Sequence, residues 1–371
     1  MLEKQRMKKA NRLKRARAKA LPATIGPVAA LPESMTLTLH IGAAKTGTTS
    51  IQRFLQINRQ ALSEQDILFP KTFGDSNQTL LPAYVNPEQH RFHKRQAANK
   101  PKLEGAYIEK YRNKLEDGFR AELAAGGCHK VIMSNEHCHI KLIEKQQVQM
   151  LAGLFARFFE KTRIIFYVRR QDRLAMSRYS TALKGGFVPN FGFPDLKKNG
   201  KLWHFYDFLA VYNTWAEVLG ADNVKLCVFD KSRFIDNDLI SDFCAHAGIQ
   251  KEGLQTQLDV LNKSLGVEAE IIVRELNSRA LREEITQVER KKAVAWVVAN
   301  FAGQKRLPTK SEAMAFYEQF QDDNVQLARL IGARDSTCGL FDSNFDEYPD
   351  SRDVEAEKSI EYMAARYVDL L

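Results

Sequence analysis

The apolar positions of this chain fall into short β-branched runs separated by longer stretches of helical spacing. Residues 36–42, TLTLHIG, predict a buried strand, and Ile51, Phe54, Leu55 and Ile57 then recur as one face of a helix. DILFP at 66–70 predicts a short second strand. Residues 106–123 predict a helix, HKVIMSNE a strand ending at Ser134, residues 146–160 a helix, and TRIIFYVRR a strongly β-branched strand ending in arginines. Phe205, Phe208, Leu209, Tyr212, Trp215 and Leu219 make the apolar stripe of a core helix ahead of another strand, NVKLCVFD. From Gly266 onward the pattern is helical and charged, broken by LPTKSE at 307–312. Between the second strand and about Leu103 the chain is polar and without period, the mark of a functional or mobile loop.

Alternating strands and helices predict an α/β fold, a three-layer P-loop-type, mainly parallel sheet flanked by helices, with a helical C-terminal extension. Ligands of such sheets gather at the carboxyl ends of the strands. The expected organisation is a basic disordered arm and linker over 1–35, an α/β domain over 36–350 that turns helical from about 266, and a C-terminal helix over 351–371.

Charge alters this picture at one end of the chain. The formal net charge is +10, but residues 1–20 hold nine Lys or Arg and one acid, a local +8, which leaves +2 for the rest. Such a block reads as a solvated tail, or as an electrostatic contact with nucleic acid or an anionic membrane. No apolar run of roughly 7–15 residues follows it, as a secretory signal requires, and no segment carries the roughly 18 apolar residues of a membrane span. The expectation is therefore a soluble cytoplasmic protein, with a peripheral position at the inner membrane face open to it through the arm. The five cysteines, Cys128, Cys138, Cys227, Cys244 and Cys338, contain no CxxC pair and suit a reducing compartment. CHKVIMSNEHCH brings Cys128, His129, His137, Cys138 and His139 close in sequence but matches no zinc spacing, so no metal ligand is assigned.

The segment with chemistry is HIGAAKTGTTS, residues 40–50. Gly42 and Gly47 stand at the spacing of a phosphate-binding loop between a strand and a helix, yet Thr48 and Thr49 follow where a nucleotidase carries Lys-Ser or Lys-Thr. Loop N–H groups and the helix N-terminus bind phosphate in such loops, while the lysine after the second glycine reaches the end of a triphosphate. Here the lysine, Lys45, lies inside the turn. That position suits a donor with one leaving phosphate better than a magnesium triphosphate, and leaves an atypical P-loop kinase as the alternative enzyme.

HIGAAKTGTTSIQ resembles the 5′-phosphosulfate loop of the sulfotransferases that use 3′-phosphoadenosine 5′-phosphosulfate (PAPS). YVRRQDRLAMSRY is similar to that family's 3′-phosphate site, where a strand ends in arginine and a serine follows eight residues later. Arg169 and Ser177 have this separation, and Arg170 is the alternative arginine. VFDKSRF, FCAHAGI, LNKSLGVEAEIIVRELN and NVQLARLIGARDSTCGLF look like the downstream parts of bacterial carbohydrate sulfotransferases. The glycine-rich nucleotide loop of the cytosolic branch has no clear counterpart, LNKSLG at 261–266 being the nearest.

The resemblance implies PAPS as donor, no metal, and a hydroxyl acceptor on a saccharide or glycolipid. It implies Lys45, Thr46, Gly47, Thr48, Thr49 and Ser50 around the 5′-phosphosulfate, with Arg169 and Ser177 at the 3′-phosphate. Sulfuryl transfer also needs a base to take the acceptor's proton. Glu136 and His137, at the end of a strand, are the two candidates, and Ser134 a further donor contact. A plain helix-capping role would equally explain an acid at 136. His90 and His93 are candidates to line an acceptor channel.

Overall fold

The computed structural model describes residues 30–87, 105–198, 200–257, 265–301, 303–332, 339–353, 362–364 and 368. The basic arm, His90, His93, Cys338, residues 261–264 of LNKSLG and most of the expected C-terminal helix lie outside them.

Five strands form one sheet: β1 (Thr36–His40), β2 (Ile67–Leu68), β3 (Lys130–Ser134), β4 (Lys161–Val168) and β5 (Val224–Val228). Their order is β2-β3-β1-β4-β5 and every neighbouring pair is parallel. Helices α1 (Thr48–Ile57) and α2 (Arg59–Glu64) lead from β1 to β2, and α3 (Leu80–Val85) and α4 (Gly105–Gly126) from β2 to β3. Next come α5 (His137–Lys141) and α6 (Lys145–Phe155), then, after β4, α7 (Gln171–Lys184), α8 (Lys201–His204) and α9 (Phe208–Leu219). Beyond β5 the described helices are α10 (Leu239–Ala247), α11 (Val267–Leu281), α12 (Gln287–Asn300), α13 (Lys310–Glu318) and α14 (Gln321–Leu330). None is long and apolar enough to cross a membrane. Short helices α3, α5 and α8 depart from expectation, and LLPAYV at 80–85, inside the polar stretch, forms α3 and buries five of its six residues. Six residues are too few for a helical period to show against polar flanks.

The strand period of two divides the core into layers. Leu37 and Leu39 of β1 and Ile164, Phe166 and Val168 of β4 pack with Phe119 of α4, Leu151 of α6 and Trp215 of α9. Ile165 and Tyr167 face the other way, onto Ile51, Phe54 and Leu55 of α1 and Ile240 and Phe243 of α10. Covered on both faces, β4 reads as a continuous apolar run. A third cluster joins Tyr179 and Leu183 of α7 to α11 and α12, so the helical C-terminal part rests on the helix that follows β4.

Two histidines are sealed into these layers. His40 ends β1 with its Nδ1 2.8 Å from Ser134 Oγ, and the ring edges of Tyr167 and Phe243 close around it. His139 lies among Phe166, Phe205, Phe208 and His204 with neither ring nitrogen bonded among the described residues. Burial pushes both down to about 3. Above the ordinary histidine pKa of about 6.5 folded and unfolded chains are alike at these sites, whereas below it the unfolded chain takes up protons the fold refuses. Stability should therefore fall as the pH drops from about 6.5 toward 3, by up to ~2.7 kcal/mol per pH unit from the two groups together. Urea denaturation across that range should show the loss, and His139→Leu should lessen it by up to ~1.4 kcal/mol per pH unit.

Candidate active site

The glycine loop leaves the central strand between the carboxyl ends of β3 and β4. It stays tied to both: Asn135 N–H donates to His40 O at 2.9 Å, Ile41 N–H to Ile165 O at 2.9 Å, and Ala43 N–H to Tyr167 O at 2.8 Å. Gly42 lies so close over His40 that a Cβ there would come within 2.5 Å of Nε2. Gly47, at φ 72°, has a similar constraint, since a Cβ would sit 2.2 Å from Leu239 Cδ2. Lys45 also occupies the left-handed region, at φ 71°, a conformation that costs a non-glycine residue roughly 1–2 kcal/mol. Arg169 Nη1 donates to the Lys45 carbonyl at 3.3 Å and braces this turn from the end of β4. Thr46 turns its hydroxyl inward onto Ala43 O at 2.5 Å and is fully buried, so its side chain closes the loop. Among the described residues no backbone acceptor takes the N–H groups of Lys45, Thr46 or Gly47.

Beside the loop apex is a cavity of about 420 Å³ that brings Lys45, Arg169 and Ser177 to one space. Arg173, Lys184, Lys305 and Arg306 reach it too, giving six cationic side chains against two carboxylates, Glu270 and Glu347. Both acids are already engaged. Glu270 accepts from Tyr179 Oη at 2.8 Å and from Arg306 Nη1 at 3.4 Å, while Glu347 pairs with Arg173 and Arg170. The excess positive charge shows in the titration of the groups. Burial, then the Arg169 charge, lowers the pKa of Lys45, and Glu136 opposes the shift. Burial and Lys45 together lower that of Lys184. Burial and Arg173 lower that of Arg169. Each cation is thus held where its charge is disfavoured, and a bound anion would relieve all three. Thr46, Gly47, Thr48, Thr49 and Ser50 lie outside the cavity lining, in the loop and the first turn of α1 next to Lys45.

The two arginines at the end of β4 have separate surroundings. Arg170 is 1% exposed, forms two 2.8 Å bonds to Asp172, reaches Asp342 and the Asn344 carbonyl, and stacks 4.1 Å from the Phe345 ring. It ties β4 and α7 to the chain at 342–347. Arg169 opens into the cavity.

On the β3 side, Glu136 precedes α5 without capping it. Its carboxylate accepts instead from Gln52 Nε2 at 2.7 Å and from Asn77 Nδ2 at 3.0 and 3.1 Å. These amides fix its direction, and its charge is close enough to act on Lys45. His137 is half-buried, with a pKa lowered by burial against the pull of Glu136. Ser134 is fully buried on His40 and Gln78, which removes it as a donor contact. Neither Glu136 nor His137 lines the cavity, so the base candidates stand across the loop from the cationic space.

No protein-family model matches the chain. An uncharacterized protein of Archaeoglobus fulgidus is 22% identical over 219 residues, 57% of this chain and 57% of that protein's own length. The chain is similar to solved sulfotransferase structures over most of its length. The sulfotransferase from Alicyclobacillus acidocaldarius aligns with 71% of this chain and 96% of its own, at 18% identity and a TM-score of 0.36. The sulfotransferase domain of the Synechococcus PCC 7002 olefin synthase aligns with 79% and 96%, at 12% and 0.33. That of the curacin biosynthetic pathway aligns with 78% and 98%, at 12% and 0.32. These are distant similarities.

Several lining residues escaped the sequence motifs. Arg173, Ser180, Thr181 and Lys184 share a face of α7 with Ser177, at i−4, i+3, i+4 and i+7, and helical spacing alone would have found them. Lys305 and Arg306 arrive from a distant turn that carries no local signal. Val267 N–H donates to Gln304 O at 2.9 Å, and Gly266 meets Gly303 so closely that a Cβ would touch its backbone at 2.9 Å. Leu265, the described end of LNKSLG, lines the cavity beside them.

The two arginines can be separated by experiment. Arg170→Ala should lower the unfolding free energy by about 3–5 kcal/mol, because it strands buried Asp172. Arg169→Ala should leave the denaturation midpoint near its original value yet abolish thermal stabilisation by adenosine 3′,5′-bisphosphate. The converse pattern would assign the anion to Arg170.

Proposed function

We propose that the protein is a sulfotransferase that uses PAPS and delivers a sulfuryl group to a hydroxyl, on a saccharide or glycolipid. The observation that carries this reading is the convergence of Lys45, Arg169 and Ser177, from two separate motifs, on one cavity with excess positive charge. A volume of about 420 Å³ suits a nucleotide-sized ligand. The cation count suits one bearing two phosphate groups rather than a neutral metabolite.

The donor would supply an activated sulfuryl group, whose bond to the 5′-phosphate oxygen breaks as a bond to the acceptor oxygen forms. Lys45 and the free loop N–H groups hold the 5′-phosphate, and Lys45 stabilises the charge that grows on its departing oxygen. Arg169, Ser177 and the hydroxyl face of α7 bind the 3′-phosphate, with Lys184 and Lys305 adding charge at the rim. Glu136 takes the acceptor's proton. Its three amide hydrogen bonds aim it, and Lys45 lies close enough to feel its charge. His137 is the second candidate, and its lowered pKa leaves it neutral and able to accept a proton at neutral pH.

Transfer of labelled sulfate from PAPS to a panel of saccharides and glycolipids tests the reading. Glu136→Gln should cut single-turnover transfer by about 10²–10⁴-fold with donor binding retained, and His137→Ala should leave most of the rate. Lys45→Ala should lower kcat/KM by about 10²–10³-fold. Full turnover in Lys45→Ala would remove that lysine from the chemistry, and a loss confined to His137→Ala would exchange the two bases.

A further inference from the structure

On the face of the sheet that carries α1 and α10, away from the cationic cavity, a different group of side chains meets. Cys227 of β5 and Asp242 and His246 of α10 present one ligand atom each within 4.8 Å of one another, the one such grouping of three among the described residues. Asp242 and His246 are four residues apart on the helix, so both project toward the strand, with His246 Nε2 3.6 Å from Asp242 Oδ2. The CHKVIMSNEHCH residues do not assemble: His129 turns outward to Asp66, and His139 is sealed among aromatic rings.

We propose that Cys227, Asp242 and His246 bind a zinc ion. One sulfur, one imidazole nitrogen and one carboxylate oxygen form a zinc-type donor set, for which bonds of about 2.0–2.3 Å are expected. In a tetrahedron such bonds place the donor atoms roughly 3.2–3.8 Å apart, so atoms within 4.8 Å of one another need a contraction of at most about 1.6 Å. Charge also balances. A thiolate, a carboxylate and a neutral imidazole offset the two positive charges, which leaves no net charge in a mostly buried place. The surroundings act as a metal's outer shell does: Tyr167 Oη donates to Asp242 Oδ2 at 2.5 Å and Ile235 N–H to Oδ1 at 3.2 Å, fixing the carboxylate's direction. The His246 side chain is 25% exposed, so the cluster opens to solvent on that side and water can complete the coordination. On binding, the Cys227 thiol releases its proton to solvent as the sulfur–metal bond forms. The ion would clamp β5 to α10 beneath the glycine loop, since Tyr167 and Phe243 pack directly on His40.

Cobalt(II) substitution tests this independently of sulfuryl transfer. Full-length protein stripped with a chelator and titrated with Co²⁺ without oxygen should develop a thiolate-to-cobalt charge-transfer band that saturates at one ion per chain and is displaced by Zn²⁺. Cys227→Ser should abolish the band, while Cys128→Ser, remote from the cluster, should keep it. His246→Ala, at a partly exposed position, should weaken binding by at least ~10-fold. Absence of the band, its survival in Cys227→Ser, or unchanged affinity in His246→Ala would overturn the proposal. If Cys227→Ser proves misfolded by circular dichroism, the His246→Ala affinity decides.

Discussion

The site depends on like charges held close together. Around the loop after β1, six cations share a cavity with two carboxylates, which pair with Arg306 and Arg173 of that same set, and burial, with repulsion added to it, disfavours the charges of Lys45, Lys184 and Arg169. A lysine whose pKa is depressed in the fold binds its proton less well there than in the unfolded chain, so at neutral pH it costs stability. That cost falls as the pH rises past the depressed pKa, or when an anion neutralises the field. A bound anion of the kind proposed above would offset that field.

Holding such a cluster requires rigid supports, and these lie beside it. Arg170, one residue from Arg169, is enclosed by Asp172, Asp342 and the Phe345 ring and joins the end of β4 to the C-terminal part of the domain. The loop is confined by space as well as by bonding: a Cβ at Gly42 would run into the His40 ring and one at Gly47 into Leu239. His40 in turn sits on Tyr167 and Phe243, and Tyr167 bonds Asp242, so the floor of the glycine loop is continuous with the Cys227–Asp242–His246 group. Substitutions on that floor can therefore disturb the loop without touching any ligand.

Elements that are local in sequence can be read from it. The strand, glycine loop and helix of 36–57 combine a change of period with Gly42 and Gly47 at a fixed spacing, and the structure keeps all three parts. The spacing of Arg169 and Ser177 is visible in sequence and both line the cavity, whereas the different surroundings of Arg170 are not, because its partners at 342–347 are about 170 residues away. Glu136 looked equally like a helix cap or a base. Its side chain makes no capping bond and accepts instead from Gln52 and Asn77, which come from other segments and carry no local signal. Lys305, Arg306 and Cys227 have chemical meaning through tertiary contact alone. The α3 helix was hidden by the polarity of its flanks.

Calorimetric titration of the purified full-length chain with adenosine 3′,5′-bisphosphate, in parallel with ATP and Mg²⁺, tests the central claim most directly. One bisphosphate should bind per chain, with binding lost in Lys45→Ala and in Arg169→Ala and with proton uptake at alkaline pH as the depressed lysine pKa values rise. Binding of ATP and Mg²⁺ with no response to the bisphosphate would contradict it and make the loop that of a variant nucleotide kinase.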